Sequence, residues 1–221
     1  MNVYFISGLA ADSRVFEHIR LPGGFKMIHL DWIPHQQNES LRSYALRLAK
    51  KIDTTKPFAL VGLSMGGMMA TEIAMQLSPK CTILLSSVPT HKQLPGYFKM
   101  AYRLGLHKVV PITLLKSASI YKRVLAPDTE ADKIILKQVI RDSDPAFIKW
   151  AMQAILTWDN EELPESLLQL HGSKDEILPL KYTSPTHIID KANHLMIMSR
   201  AEELNKYIGS FLLESAGDTA V

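Results

Sequence analysis

Apolar runs and amphipathic stretches alternate along this chain. The run FALVGLS, Phe58–Ser64, has no polar side chain before its last residue, which is typical of a strand buried on both faces. The stretch Ser40–Ile52 instead repeats its apolar residues at helical spacing behind a serine, which predicts an amphipathic helix with an N-cap. The last such stretch, Arg200–Ser215, also predicts a helix.

Short apolar runs of this kind predict the strands of one sheet. They are Asn2–Gly8, Phe25–Ile33, Phe58–Ser64, Cys81–Ser87, Ser166–Ser173 and Thr186–Asp190. Met65–Leu77 is rich in helix-forming residues and stops just before Pro79, which predicts a helix directly after the third strand. Strands that alternate with helices predict an α/β fold, in which helices flank a mostly parallel sheet.

Residues 90–163 interrupt the alternation. Their pattern is helical throughout, and prolines divide it at Pro95, Pro111, Pro127 and Pro145. We interpret this segment as a helical cap inserted between the fourth and fifth strands. Residues 1–89 and 164–221 would then form the core domain.

The composition is ordinary for a globular protein and argues against several other classes. The 221 residues are 47% hydrophobic and 21% charged, with a formal net charge of +3. No stripe of Lys and Arg indicates a nucleic-acid partner. No apolar run reaches the roughly 18 residues of a membrane span, and the N-terminus lacks the basic region of a signal peptide, so we expect a cytoplasmic protein. The single cysteine, Cys81, cannot form an internal disulfide.

The stretch GLSMG places Ser64 between Gly62 and Gly66, after a predicted strand and before a predicted helix. A sharp strand-to-helix turn strains the backbone at its apex and crowds the flanking positions, which favours glycine at both. Such a turn would present the Ser64 hydroxyl at the carboxyl edge of the sheet, beside the first amides of the helix. The alternative is a glycine-rich turn with a bystander serine.

Because GLSMG stands in this strand–helix setting, the chain resembles the α/β-hydrolase superfamily over nearly its whole length. The resemblance implies a nucleophile, an acid and a histidine in that chain order. Asp175 follows the fifth predicted strand and matches the acid loop of that superfamily. His194 follows the sixth strand and matches its histidine loop, although Ala192 and Asn193 stand where that loop often has glycines.

Other titratable residues compete for these two roles. Glu176 and Asp190 are alternative acids, and we prefer Asp175 because the resemblance places the acid there. His171 lies within the fifth strand, so we expect it to pack or to form hydrogen bonds locally. The remaining histidines lie in predicted strands, helices or loops: His18, His29, His35, His91, His107 and His187.

Acyl transfer also needs donors for the negative charge that develops on the carbonyl oxygen, and backbone amides usually supply them. Met65, which follows the nucleophile, would supply one amide of this oxyanion hole. The resemblance places the second amide after the first strand, in a loop that usually begins His-Gly. Here Ser7 replaces the histidine, Gly8 remains, and Leu9 would offer the amide. The alternative is a plain turn that ends the strand. Because the histidine is missing, the sequence does not indicate which side chains pack against this loop and orient it.

The first part of the predicted cap is basic. Between His91 and Pro127 all charged residues are positive: Lys92, Lys99, Arg103, Lys108, Lys116, Lys122 and Arg123. One interpretation is a surface for an anionic acyl chain or an acidic carrier protein. The simpler interpretation is a solvated helix face whose lysines lie over apolar surface.

Aromatic residues stand out in the later part of the cap. Phe147, Trp150 and Trp158 would either line a substrate pocket for an acyl chain or simply dock the cap on the core.

These observations predict a serine hydrolase that cleaves a small-molecule carboxylic ester or thioester through an acyl-enzyme on Ser64. His194 would act as the base and Asp175 would orient it, without a metal or an organic cofactor. Two alternatives remain open. The same triad serves lyases or C–C bond hydrolases on this fold, and a non-catalytic small-molecule binding protein could retain it.

Overall fold

The computed structural model describes residues 1–105 and 129–217 of the chain. Its strands form one six-stranded parallel sheet in the order β2-β1-β3-β4-β5-β6. The strands are β1 (Asn2–Ile6), β2 (Lys26–His29), β3 (Phe58–Leu63), β4 (Cys81–Leu85), β5 (Leu167–Gly172) and β6 (His187–Ile189). The predicted α/β class with a parallel sheet is confirmed.

Helices follow the strands along the chain. The described α-helices are α1 (Leu41–Leu48), α2 (Met65–Leu77), α3 (Gly96–Arg103), α4 (Glu130–Asp142), α5 (Pro145–Leu156), α6 (Met196–Ser199) and α7 (Ala201–Gly217). The side chain of Ser40 caps α1 by accepting a hydrogen bond from the Ser43 amide, as the sequence predicts. Helix α2 has the predicted bounds, because it begins at the turn after β3 and ends at Leu77, just before Ser78, whose backbone is left-handed.

Two apolar layers enclose the sheet, and successive strand residues enter opposite layers. In β3, Val61 packs in one layer with residues of α7, and Leu60 packs in the other with residues of α1, α2 and α5. Both side chains are fully buried. A strand that is covered on both faces has no solvated face, which explains the unbroken apolar runs in the sequence.

The segment between β4 and β5 contributes α3, α4 and α5. Helix α5 contacts α1 and α3, whereas α4 contacts a short 3-10 turn, Ser13–Phe16. The boundaries 90–163 proposed for the cap stay a prediction. Several cap residues singled out from the sequence lie outside the described residues: His107, Lys108, Lys116, Lys122 and Arg123.

All six strands run in one direction, so their carboxyl ends meet at one edge of the sheet. β1 pairs with β3 so that Ile6 lies opposite Gly62. The loop after β1 therefore begins beside the turn that carries Ser64. The opposite, amino edge carries Lys26 at the start of β2, with Lys56 and Lys80 shortly before β3 and β4.

Candidate active site

Ser64 forms the apex of the turn between β3 and α2. Its backbone has φ 52° and ψ −120°, a combination that side-chain-bearing residues rarely adopt. Hydrogen bonds hold it there on both sides. The Ser64 amide donates to the Leu85 carbonyl at 2.9 Å, and the Ser64 carbonyl accepts from the Gly67 amide at 2.9 Å.

Backbone segments approach the two glycines of this turn so closely that no side chain fits. A Cβ atom on Gly62 would overlap the backbone of Gly66 and Gly67, and one on Gly66 would overlap the carbonyl oxygens of Ile6 and Ser7. Both positions therefore require glycine for steric reasons.

The structure brings Ser64, His194 and Asp175 into one hydrogen-bonded series. His194 Nε2 lies 2.9 Å from Ser64 Oγ, and His194 Nδ1 lies 2.7 Å from Asp175 Oδ2. The histidine and the aspartate are each 4% exposed. The three residues come from the ends of β3, β5 and β6, which meet at the carboxyl edge of the sheet.

Asp175 is held as a carboxylate. Its Oδ1 atom accepts the amides of Ile177 and Leu178, each at 2.9 Å. Burial raises the pKa of Asp175, but the charge and hydrogen bond of His194 and the Leu178 amide outweigh burial and keep this pKa below its ordinary value. A carboxylate only accepts, so His194 Nδ1 carries the hydrogen and Nε2 is left to accept the Ser64 hydroxyl hydrogen.

A second histidine also reaches Asp175. His171, which is fully buried, donates from Nε2 to the Leu178 carbonyl at 2.7 Å, and the same nitrogen lies 3.3 Å from Asp175 Oδ2. Burial lowers the pKa of His171 and the nearby Asp175 charge offsets this only in part, which favours the neutral form of the ring. The local hydrogen bond matches the expectation for His171, whereas its approach to Asp175 is a finding of the structure.

Two backbone amides are available beside Ser64. Met65 is the first residue of α2, so its amide has no acceptor within the helix. The Leu9 amide donates no backbone hydrogen bond within residues 1–105 and 129–217. Leu9 lies next to Gly8, where a Cβ atom would stand only 3.2 Å from Ser64 Cβ, so this loop lies directly on the serine.

Comparison with known proteins agrees with this geometry. The family model described as "Alpha/beta hydrolase family" matches residues 3–207. The chain belongs to this family. It is therefore an enzyme of the α/β-hydrolase type, and the resemblance inferred from the stretch around Ser64 is confirmed.

Solved structures with the same fold cover almost all of this α/β hydrolase. MenH from S. aureus is 19% identical, with a TM-score of 0.76 and coverage of 98% of this chain and 94% of that chain. A thermophilic esterase from Thermogutta terrifontis is 19% identical, with a TM-score of 0.70 and coverage of 97% and 90%. The RedJ thioesterase of the prodiginine pathway in Streptomyces coelicolor is 15% identical, with a TM-score of 0.67 and coverage of 96% and 90%. Identities this low show the fold alone. No curated protein matches the sequence at a significant level.

The aromatic residues considered for a substrate pocket make docking contacts in this hydrolase. Trp150 donates from Nε1 to the Glu39 carbonyl at 2.9 Å, and Trp158 donates from Nε1 to Glu72 Oε1 at 2.7 Å. Phe147 packs on Trp32 with ring centroids 5.1 Å apart. All three candidates are less than 9% exposed. These contacts suit the docking interpretation, and a role in a pocket stays a prediction.

The competing residues lie elsewhere. Glu176 and Asp190 are exposed, and Asp175 is the carboxylate that contacts His194. Among the histidines, His18 pairs with Asp132 at 2.7 Å. Others contact aromatic rings: His29 with Phe5 and Phe16, His35 with Trp150, and His187 with Tyr207.

Two supporting residues carry no recognisable signal in the sequence. Ser87 Oγ donates to the Ser64 carbonyl at 2.6 Å, and Trp32 Nε1 donates to the Ala11 carbonyl, in the loop that carries Leu9, at 2.8 Å. Both are long-range contacts between loops, which neither periodicity nor motif spacing can reveal.

Two features are absent from the part of the chain that the structure describes. No three His, Cys, Asp or Glu side chains there lie close enough together to hold a metal ion. None of the helices there combines the length and the apolar character needed to cross a membrane.

Proposed function

We propose that this α/β hydrolase cleaves a carboxylic ester or thioester through an acyl-enzyme on Ser64. The observation that carries the proposal is the series Ser64 Oγ, His194 Nε2, His194 Nδ1 and Asp175 Oδ2, with contacts of 2.9 and 2.7 Å. A nucleophile, a base and an orienting acid at these distances can transfer a proton without rearrangement.

In the acylation step, His194 Nε2 accepts the Ser64 proton while Oγ attacks the substrate carbonyl carbon. The carbonyl oxygen becomes negative and receives hydrogen bonds from the Met65 and Leu9 amides, each worth roughly 3 kcal/mol of barrier. The protonated His194 then gives its proton to the leaving alcohol or thiol, and the acyl group remains on Ser64.

In the deacylation step, water takes the place of the leaving group. His194 accepts a proton from this water as its oxygen attacks the acyl carbon, and the proton then passes to Ser64 Oγ as the carboxylic acid leaves. The Asp175 carboxylate stabilises the imidazolium in both steps and keeps the hydrogen on Nδ1.

The substrate class follows from the acyl chemistry and not from a recognised pocket. An esterase and a thioesterase are among the proteins that share the fold, which supports this class without selecting between its members. An acidic carrier protein has less support. Lys92, one of the basic residues considered for that role, pairs with Glu161 at 2.9 Å, and Lys108, Lys116, Lys122 and Arg123 lie outside the described residues.

A fluorophosphonate probe together with p-nitrophenyl esters and acyl thioesters of graded chain length tests the proposal. Labelling and turnover should both occur and should both disappear in Ser64→Ala. Ser210→Ala, at an exposed position of α7, is the matched control and should retain both. Labelling at Ser64 without turnover of any ester or thioester would reject ester and thioester hydrolysis in favour of a lyase or C–C bond hydrolase. If the protein shows no labelling and no turnover, the result would favour a binding protein.

A further inference from the structure

The loop after β1 closes in a tight turn that we name the oxyanion turn, Gly8–Ala11. The Ala11 amide donates to the Gly8 carbonyl at 3.0 Å. Ala10, the third residue of this turn, has a φ of 56°. Type II turns require a positive φ at this position, and glycine usually occupies it. An alanine in this conformation costs energy, so the surrounding structure must hold the turn in place.

Two side chains hold the end of the oxyanion turn through one carbonyl oxygen. Ser7 Oγ donates to the Ala11 carbonyl at 3.0 Å, and Trp32 Nε1 donates to the same oxygen at 2.8 Å. A carbonyl oxygen has two lone pairs, and here each of them accepts one of these hydrogen bonds. Ser7 and Ala11 are both buried, which makes the loss of both donors costly.

Trp32 is itself fixed by the elements behind it. The neighbouring residue, Ile33, exchanges two hydrogen bonds with the Tyr44 hydroxyl of α1, each at 2.8 Å. Burial raises the pKa of Tyr44 to about 12, so this hydroxyl keeps its proton and can donate. On its other side the indole packs on Phe147 of α5. The Trp32 N–H group therefore approaches Ala11 from a rigid support that α1 and α5 provide.

We propose that Trp32 and Ser7 are positioning residues that hold the Leu9 amide where the oxyanion forms. This inference rests on the proposed hydrolysis at Ser64. Ser7 stands where similar loops carry a histidine, and in this chain the indole of Trp32 adds the second hydrogen bond that fixes the turn. Both residues act through the Ala11 carbonyl, so this role requires no contact with the substrate.

The test uses Trp32→Phe, Ser7→Ala and the double variant in the full chain. Trp32→Phe keeps an aromatic ring and removes the donor, and Ser7→Ala removes only the hydroxyl. With an ester that the parent turns over, kcat should fall about tenfold in each single variant and about a hundredfold in the double variant, because small displacements of a catalytic group cost this much. KM should change less than twofold. An alkyl boronic acid, whose tetrahedral adduct places an oxygen in the oxyanion hole, should lose affinity in parallel with kcat.

Tyr4→Phe is the matched control. Tyr4 is a buried aromatic residue of β1, and its hydroxyl accepts a hydrogen bond from the Asp53 amide at 2.9 Å, away from the oxyanion turn. The substitution also removes one hydrogen bond from a buried ring, but kcat and boronic-acid affinity should stay at the parent values.

Hydrogen–deuterium exchange of a peptide that contains Ser7–Ala11 provides a readout that needs no turnover. Exchange should be several-fold faster in Trp32→Phe and in Ser7→Ala than in the parent and in Tyr4→Phe. If the parent hydrolyses no ester or thioester, the proposed function fails, and exchange still decides whether these side chains hold the turn.

Two results would overturn the inference. Unchanged exchange in both single variants would mean that the two hydrogen bonds do not hold the turn. In an active enzyme, faster exchange with unchanged kcat and unchanged boronic-acid affinity would mean that the two hydrogen bonds hold the oxyanion turn for stability alone.

Discussion

Ser87 donates its hydroxyl hydrogen to the carbonyl oxygen of Ser64 across 2.6 Å. The loop after β4 thereby supports the strained backbone of the residue proposed as nucleophile. The same Ser87 side chain occupies the space that a Cβ atom on Gly67 would need. One small polar residue both stabilises the turn and requires glycine at Gly67, the third residue of α2.

Replacing Ser87 with alanine should therefore lower activity. Without Ser87 the Ser64 carbonyl still accepts from the amides of the helix but loses its hydrogen bond to the loop after β4, so the Ser64 hydroxyl is less well placed. We expect kcat to fall about tenfold and stability to fall by about 1 kcal/mol. Ester turnover and thermal unfolding measure the two effects.

The neighbouring Ser86→Ala is the control for this prediction. The Ser86 hydroxyl is fully buried and has no hydrogen-bond partner among the described residues, so its removal breaks no hydrogen bond there. If the two variants lose activity to the same extent, the hydrogen bond to Ser64 does not support catalysis.

Asp175→Asn should abolish most of the turnover while leaving the fold intact. The asparagine oxygen can still accept the Ile177 and Leu178 amides, which directs its NH₂ group toward His194 Nδ1. Nδ1 must then accept a hydrogen bond from this NH₂ group. His194 Nε2 therefore carries the ring hydrogen and can no longer take the Ser64 proton. We expect kcat/KM to fall about 10³- to 10⁴-fold. Asp190→Asn, at the exposed alternative acid, should retain parental kcat/KM, and the reverse ranking would reject Asp175 as the acid.

Gly66→Ala should prevent the native fold. The added methyl group would overlap the Ile6 and Ser7 carbonyl oxygens, which are backbone atoms and cannot rotate away. Circular dichroism and expression in soluble form should show an unfolded or strongly destabilised chain. In Gly209→Ala, a helix position where the nearest atom would be 3.7 Å away, stability should be unchanged or about 1 kcal/mol higher. A Gly66→Ala protein that melts like the parent contradicts the steric argument.

The buried carboxylate of Glu39 should make stability depend on pH. Burial raises its pKa, but hydrogen bonds from Arg47, Gln36 and Ser43 outweigh burial and leave the pKa below its ordinary value. A folded-state pKa below the unfolded one adds stability at neutral pH, which is lost as pH falls through the folded pKa. Glu39→Gln should therefore be about 2 kcal/mol less stable than the parent at pH 7. Thermal unfolding between pH 7 and pH 3 should show this difference shrinking, and a constant difference would contradict the linkage.

Glu72 should respond with the opposite sign. Burial raises its pKa, and the hydrogen bond from Trp158 and the charge of Arg42 compensate only in part. A folded-state pKa above the unfolded one means that the ionised group costs stability as pH rises past the unfolded pKa. Glu72→Gln keeps an oxygen for the indole of Trp158, so at pH 7 its melting temperature should equal or exceed that of the parent. A clearly lower melting temperature would show that the negative charge is needed.

The sequence predicts the sheet well because both of its faces are buried, which leaves unbroken apolar runs. Strand ends are less predictable because partner strands decide them. Phe25–Ile33 reads as one strand, yet β2 ends at His29, since β1 ends at Ile6 and the last hydrogen bond joins the Leu30 amide to the Phe5 carbonyl. Residues beyond that point have no strand to pair with.

The candidate site divides in the same way. Ser64 and its glycines are recognisable because a local steric requirement fixes their spacing, and resemblance then suggests Asp175 and His194. The contact of Ser87 with Ser64 and that of Trp32 with Ala11 join residues 23 and 21 positions apart. Such contacts depend on how separate loops meet at one edge of the sheet, which cannot be predicted from residue type alone.

The common direction of the strands places the residues proposed for catalysis at one end of the sheet and the amino ends of the strands at the other. Lys26, Lys56 and Lys80 stand at this amino end, near the starts of β2, β3 and β4. Fluorophores, affinity tags or a solid support attached through engineered residues at that end would lie away from the carboxyl edge of the sheet, where Ser64 stands. Immobilised or reporter forms of the hydrolase are therefore best built from the amino ends of its strands.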